Sequence, residues 1–170
     1  KEEIIKEVLK NFFPAIMEDR LVVKVDGIDI ASENISDLFD KYLEDDKDYL
    51  YYKALTSNKA KLFKEKFSKV CNSFEGEGWV EMHVLKMSSS SAPRKIAMSR
   101  NTGMIIKKKG HISASNKFVG TMIARGKELN KYLRKMEPPR HDDWKAKYCD
   151  SKEDKPFARK IIGDLKRWIN

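Results

Sequence analysis

An arginine at a strand end, followed by a glycine turn and three consecutive lysines, is the grouping in this chain whose chemistry is easiest to state. The residues are Arg100, the turn formers Asn101, Thr102 and Gly103, and then Lys107, Lys108 and Lys109. Ile96 and Met98 alternate with Lys95 and Ala97 on one side of the turn, and Met104, Ile105 and Ile106 resume an extended pattern on the other. Residues 94–110 therefore read as two strands joined by a charged turn. Positive charges converging on such a rim suit an anion. The competing reading is the commoner fate of an arginine at a strand end, a surface residue or salt-bridge partner.

Other reactive residue types are present without the spacing their chemistry needs. His141 beside Asp142 and Asp143 has the ingredients of acid–base or metal work, but one histidine and adjacent aspartates do not all point at one ion, so the cluster reads as a loop lock. The acidic tract Glu44, Asp45, Asp46 and Asp48 lacks the glycine and closing glutamate of a calcium loop and reads as a solvated turn. His83 has no second ligand at a metal spacing and reads as a packed histidine. The serines at 88–91 have no glycine elbow to make one of them a nucleophile, and with Pro93 they read as a flexible hairpin loop. Cys71 and Cys149 form neither a disulfide framework nor a zinc site, which points to a reducing cytoplasm. No metal is expected.

The elements that would position these groups come from periodicity. Ile4, Ile5, Val8, Leu9, Phe12 and Phe13 predict an amphipathic helix over 2–13 that Pro14 helps to end. Leu21, Val23 and Val25, then Asp26-Gly27, then Ile28 and Ile30 read as a short hairpin. Ser32 or Asn34 can cap a helix burying Ile35, Leu38, Phe39, Tyr42 and Leu43. The segment with Tyr49, Tyr51 and Tyr52 is ambiguous in structure and reads as packing rather than base stacking. Leu62, Phe63, Phe67 and Val70 predict a helix over 58–72, before the turn residues Gly76 and Gly78.

Trp79 to Met87 is a strand apolar on both faces, Phe118 to Ile123 another, and Gly126 opens a helix with Leu129, Tyr132 and Leu133 inward. Two prolines, Pro138 and Pro139, make a polar elbow before Trp144. A last helix sets Phe157, Ile161, Leu165 and Trp168 against a face of Arg159, Lys160, Lys166 and Arg167, which could meet nucleic acid or a neighbouring domain.

Composition bounds the answer further. With 170 residues, 41% of them hydrophobic, the chain has enough apolar surface for one compact domain, 1–170. The opening at Lys1, directly into a helical pattern, suggests a piece of a longer protein. No membrane span and no signal peptide is readable, so a soluble, cytoplasmic domain is expected. Its net charge of +9 hides an asymmetry, since residues 1–85 hold 13 Lys/Arg against 18 Asp/Glu and residues 86–170 hold 22 against 8. The chain thus divides into an acidic helical and hairpin part, 1–78, and a basic strand-rich part, 79–170. Sharing a face, those cations would attract phosphate on a nucleotide, DNA or RNA; scattered, they are a solvated surface.

The string Arg100-Asn101-Thr102-Gly103-Met104-Ile105, then Phe118-Val119-Gly120, Glu128-Leu129-Asn130, and Glu137-Pro138 with His141 and Trp144 resembles a known pattern. It is similar to the region behind the ATPase module in bacterial ATP-binding proteins of the gyrase, chaperone, histidine-kinase and MutL (GHKL) class, many associated with phage defence. The likeness covers about residues 78–145. It implies a transducer domain that lends a basic residue to the terminal phosphate of ATP held next door, with Arg100 first in that role and Lys107, Lys108 and Lys109 as substitutes. Asn101, Gly103, Glu137, His141 and Trp144 carry the rest of the motif.

This sequence departs from the class in lacking its Glu-x-x-x-Asn helix and Asp-x-Gly-x-Gly loop. No catalysis is therefore expected from the chain itself, and ATP and magnesium are expected only in a parent protein. A nuclease arrangement is also missing, because Glu81 and Lys86 are too far apart for that signature. The expected architecture is α+β, a mainly antiparallel sheet with helices on one face and a closing C-terminal helix. The expected function is a non-catalytic transducer-like module with an upstream ATP-binding domain as its partner. The alternative is a nucleic-acid-binding module acting through the basic half.

Overall fold

The structure is a computed structural model that describes residues 1–88, 93–112 and 116–170. Most of the expected serine loop at 88–91 lies outside the described residues. Helix α1 (Glu2–Met17) leads into a hairpin of β1 (Val23–Val25) and β2 (Ile28–Ile30), and then α2 (Ile35–Leu43) and α3 (Tyr49–Thr56). Next come β3 (Lys61–Lys66), the short α4 (Phe67–Val70), β4 (Trp79–Lys86), β5 (Lys95–Arg100), β6 (Ile105–Lys109) and β7 (Phe118–Arg125). Helix α5 (Lys127–Lys135), a 3-10 turn (Ala146–Tyr148) and α6 (Asp154–Ile169) close the chain.

The main sheet has the order β3-β4-β7-β5-β6, and the hairpin stands apart as a two-stranded sheet. Three of the main sheet's pairings are antiparallel, while β5 and β7 run parallel, so the sheet is mixed. The α+β class and the closing helix are as expected. The helices, however, cover both faces rather than one. Successive strand residues explain this. Ile96, Met98, Ile106, Met122 and Ala124 face a core completed by α4, α5 and α6. Ala97, Ile105 and Val119 face a second core built by the first three helices. Alternation sends neighbouring residues to opposite faces, and here both parities are apolar, so both faces need cover. Strand β7 sits at the centre, buried along nearly its whole length.

Three local expectations change. Helix α1 runs through Pro14 to Met17 instead of ending there. Proline removes one backbone hydrogen bond, but Phe13, Ala15 and Ile16 bury the last turn and outweigh that cost. In place of the helix expected over 58–72 stand β3 and the short α4, with β3 paired residue for residue with β4 from Lys61 opposite Val84 to Lys66 opposite Trp79. Its apolar spacing misled because Leu62 and Phe63 stay exposed and only Phe67, in the short α4, is fully buried. The tyrosine segment is helical and packs as read: Tyr52 stacks on Phe39 with ring centroids 4.1 Å apart, and Thr121 Oγ1 donates to the Tyr51 carbonyl at 2.8 Å. Among the described residues no helix is long and apolar enough to cross a membrane.

Candidate functional site

The turn after β5 closes with the Gly103 N–H donating to the Arg100 carbonyl at 2.9 Å. Side chains from three other places in the chain, Arg20, Arg125 and Asn130, bond to it. Arg20, just beyond α1, donates to the Asn101 carbonyl, and the Asn101 N–H donates to Asn130 Oδ1 of α5 at 2.7 Å. Asn130 Nδ2 in turn donates to the carbonyls of Ala124 and Gly126, fixing α5 on the end of β7. Arg125, the last residue of β7, bonds both oxygens of Glu18 and Oε2 of Glu81. Burial pushes the Glu18 carboxyl up, but the Arg125 and Arg20 guanidiniums outweigh it and hold the group below its usual value.

The Arg100 side chain does not stand free on this rim. It is only 12% exposed, and its Nε and Nη2 donate to the two oxygens of Glu137 at 2.5 and 3.0 Å. Glu137 has 0% side-chain exposure and also accepts from Trp144 Nε1 at 3.0 Å. His141 Nδ1 lies 2.8 Å from Glu137 Oε2, so against a carboxylate that nitrogen carries the proton. Burial raises the Glu137 pKa, and the hydrogen bonds from Arg100, Trp144 and His141 more than reverse it, leaving the group lowered and ionised at neutral pH. Arg100, Glu137, His141 and Trp144 thus meet in space, as a clamp between the sheet end and the elbow after α5.

Of the two readings of Arg100, phosphate ligand and salt-bridge partner, the second describes its contacts within the chain. Among the described residues Arg100 Nη1 has no hydrogen-bond partner, and the turn tip, Asn101 and Thr102, is exposed. The substitutes fare similarly. Lys107 pairs with Asp143, Lys108 pairs with Asp48 at 2.6 Å, and Lys109 donates to Asn170 Oδ1 at 2.9 Å. Three consecutive strand residues point alternately to opposite faces, so they were never able to converge on one anion.

The loop-lock reading of the elbow also acquires a geometry. His141 turns to Glu137, Asp142 to Arg140, and Asp143 to Lys107 and Lys145, three separate sets of partners. Burial pushes Asp143 up, but hydrogen bonds from Lys107, Lys145 and the Trp144 N–H bring it down to about 2. The stability contributed by this lowered carboxyl is complete above its unfolded value of 3.8 and is lost as pH falls through about 2. A carboxyl carbon titration by NMR is expected to place the Asp143 midpoint near 2, and Lys107→Met is expected to raise it.

On α6 the four basic residues divide. Lys160 and Arg167 pair with the buried Asp164 of their own helix, Arg167 while still exposed, whereas Arg159 and Lys166 are exposed with no ion pair among the described residues. Cations of the second half also neutralise acids of the first, as Lys108 does with Asp48 and Arg125 with Glu18 and Glu81. Part of the charge asymmetry therefore holds the two halves together.

Sequence reading passed over the outer face of α5. Lys127, Lys131 and Arg134 share one side of that helix, and with Arg100, Tyr148 and Asp150 they line a cleft of about 550 Å³. Their i, i+4, i+7 spacing was the available signal. On its other side Arg100 borders a smaller apolar cleft of about 380 Å³ with Phe12, Leu21, Met104 and His141. Compared with family models, with curated proteins and with solved structures, the chain matches none.

Proposed function

We propose that the chain is a non-catalytic, transducer-like coupling module that reads a phosphate presented by an adjoining ATP-holding module of a larger bacterial ATPase. The observation that supports this reading is the state of Arg100. Glu137 fixes its Nε and Nη2, so the guanidinium has one orientation, while Nη1 is left without a partner among the described residues. A preorganised cation with one spare arm can add a charge-assisted bond to an incoming phosphate without reorganising. Because the same side chain joins the exposed turn to Glu137, His141 and Trp144, strain at the turn reaches the elbow after α5 directly.

Arg100→Lys tests the reading in the ATPase that carries this module. Lysine keeps a positive charge opposite Glu137 but has no second arm. Turnover is expected to fall about a hundredfold, the scale of losing one preorganised donor. Unchanged turnover in a folded variant rejects the role.

The nucleic-acid reading has a narrower footing, the exposed Arg159 and Lys166 on α6. It requires the chain to bind oligonucleotides with an affinity that drops steeply with salt, and Arg159→Ala with Lys166→Ala to flatten that dependence.

A further inference from the structure

We infer that the cleft beside α5 is itself a polyphosphate-binding site, with Lys127, Lys131 and Arg134 as its ligand-contacting cations. This goes beyond the coupling reading and stands whether or not a neighbouring module holds ATP. The first reason is that these cations are uncommitted. Lys127 and Arg134 are exposed and have no ion-pair partner among the described residues, and Lys131 finds only Glu128, at 4.0 Å. Elsewhere on the molecule the cations beside clefts are largely engaged, as Lys107 is with Asp143 and Lys108 with Asp48. Lys127, Lys131 and Arg134 thus bring largely unneutralised charge to the cleft, whereas Lys135 of the same helix is paired with Asp154.

The second reason is spacing. With a rise of about 1.5 Å per residue, positions 127, 131 and 134 lie roughly 6 and 4.5 Å apart along the helix axis, a ladder for linked anionic groups rather than a single point charge. The buried face of the same helix, Leu129 and Leu133, is fully packed, so the ladder stands on a rigid element.

The third reason is the cleft wall. Arg100 lines it with Nη1 unpartnered among the described residues, while the negative charge of Glu137 is taken up by Arg100, Trp144 and His141. Asp150 is the remaining acid on the cleft wall, and Lys135, which also lines it, is paired with Asp154 at 3.1 Å. Guanidinium and ammonium donors arranged this way match the oxygens of phosphate better than those of a single carboxylate. The volume of about 550 Å³ is in the range of small-ligand sites, which favours a compact polyphosphate over a nucleic acid lying along an extended stripe.

The test is calorimetric titration of the chain with inorganic tripolyphosphate, in the parent and in two double variants. Lys131→Ala with Arg134→Ala is expected to weaken binding at least about tenfold, since it removes two charge-assisted contacts. Arg159→Ala with Lys166→Ala, which removes equal charge from α6, is expected to leave binding unchanged. Both pairs are exposed, so their unfolding midpoints should match the parent and loss of fold is separable from loss of binding. Absence of saturable binding overturns the inference, as does equal weakening by the two variants. An oligothymidylate that binds at the α5 residues and is not displaced by tripolyphosphate overturns it in favour of nucleic acid. Tripolyphosphate binding with normal turnover in Arg100→Lys would leave this site standing while the coupling reading fell.

Discussion

Glu137→Gln is expected to lower folding stability by about 3–5 kcal/mol, the scale seen when one partner of a buried ion pair is removed. Glutamine is close to isosteric and can still accept from Trp144, so neither volume nor that hydrogen bond is the main loss. What remains is the Arg100 guanidinium, largely buried and deprived of its counter-charge. For a chain of this length the loss corresponds to a fall in melting temperature of roughly 6–20 °C. Urea denaturation at neutral pH measures it, and a change under about 1 kcal/mol would show that the clamp is not a principal support. A Glu137→Leu, Arg100→Met double variant is expected to recover most of the loss, because an apolar pair of similar size leaves no charge stranded.

The same substitution has a pH signature. The folded Glu137 carboxyl lies below its ordinary 4.5, burial working against the shift and Arg100, Trp144 and His141 imposing it. Its contribution is therefore complete above the unfolded value and disappears as pH falls through the lower folded one. In Glu137→Gln that part of the acid slope should vanish, while the Asp143 part, nearer pH 2, should persist.

These residues show how far the sequence could be read. The strand, turn and strand around Arg100, the elbow at Glu137 and the inward faces of α2, α5 and α6 follow from local periodicity and turn chemistry, and these are present. The pairing of Arg100 with Glu137, 37 positions away, does not. Nothing local distinguishes an arginine that awaits a phosphate from one that has a carboxylate across the elbow. Covering both faces of the sheet was within reach, because β7 is apolar at both parities, yet one parity is enough to predict a strand and the second was not used. The strand at 61–66 was hidden for a different reason. Its pairing with β4 is tertiary, and its exposed Leu62 and Phe63 mimic the spacing of a buried helical stripe. On α5 the apolar face drew attention to packing, and the basic spacing opposite it went unread.

Gly103→Ala is expected to be the most damaging single methyl in the turn. Gly103 has φ of +77°, which an L side chain adopts at a cost of about 1–2 kcal/mol. A Cβ there would also lie 2.5 Å from the Ala15 nitrogen and 2.7 Å from its Cα, where α1 crosses the turn. Backbone in a packed helix cannot swing aside, so overpacking adds about 1–3 kcal/mol. Gly27 supplies the control. Its φ is +82°, but nothing lies within 4 Å of the added methyl, so Gly27→Ala should show the conformational cost alone. The difference between the two losses, read from urea midpoints, isolates the contact with α1. Ala15→Gly should rescue Gly103→Ala only slightly, since it deletes the Ala15 Cβ and leaves the nitrogen and Cα in place. If the two glycine variants lose equal stability, helix α1 does not seat against the turn as described, and the bracing of Arg100 from that side fails with it.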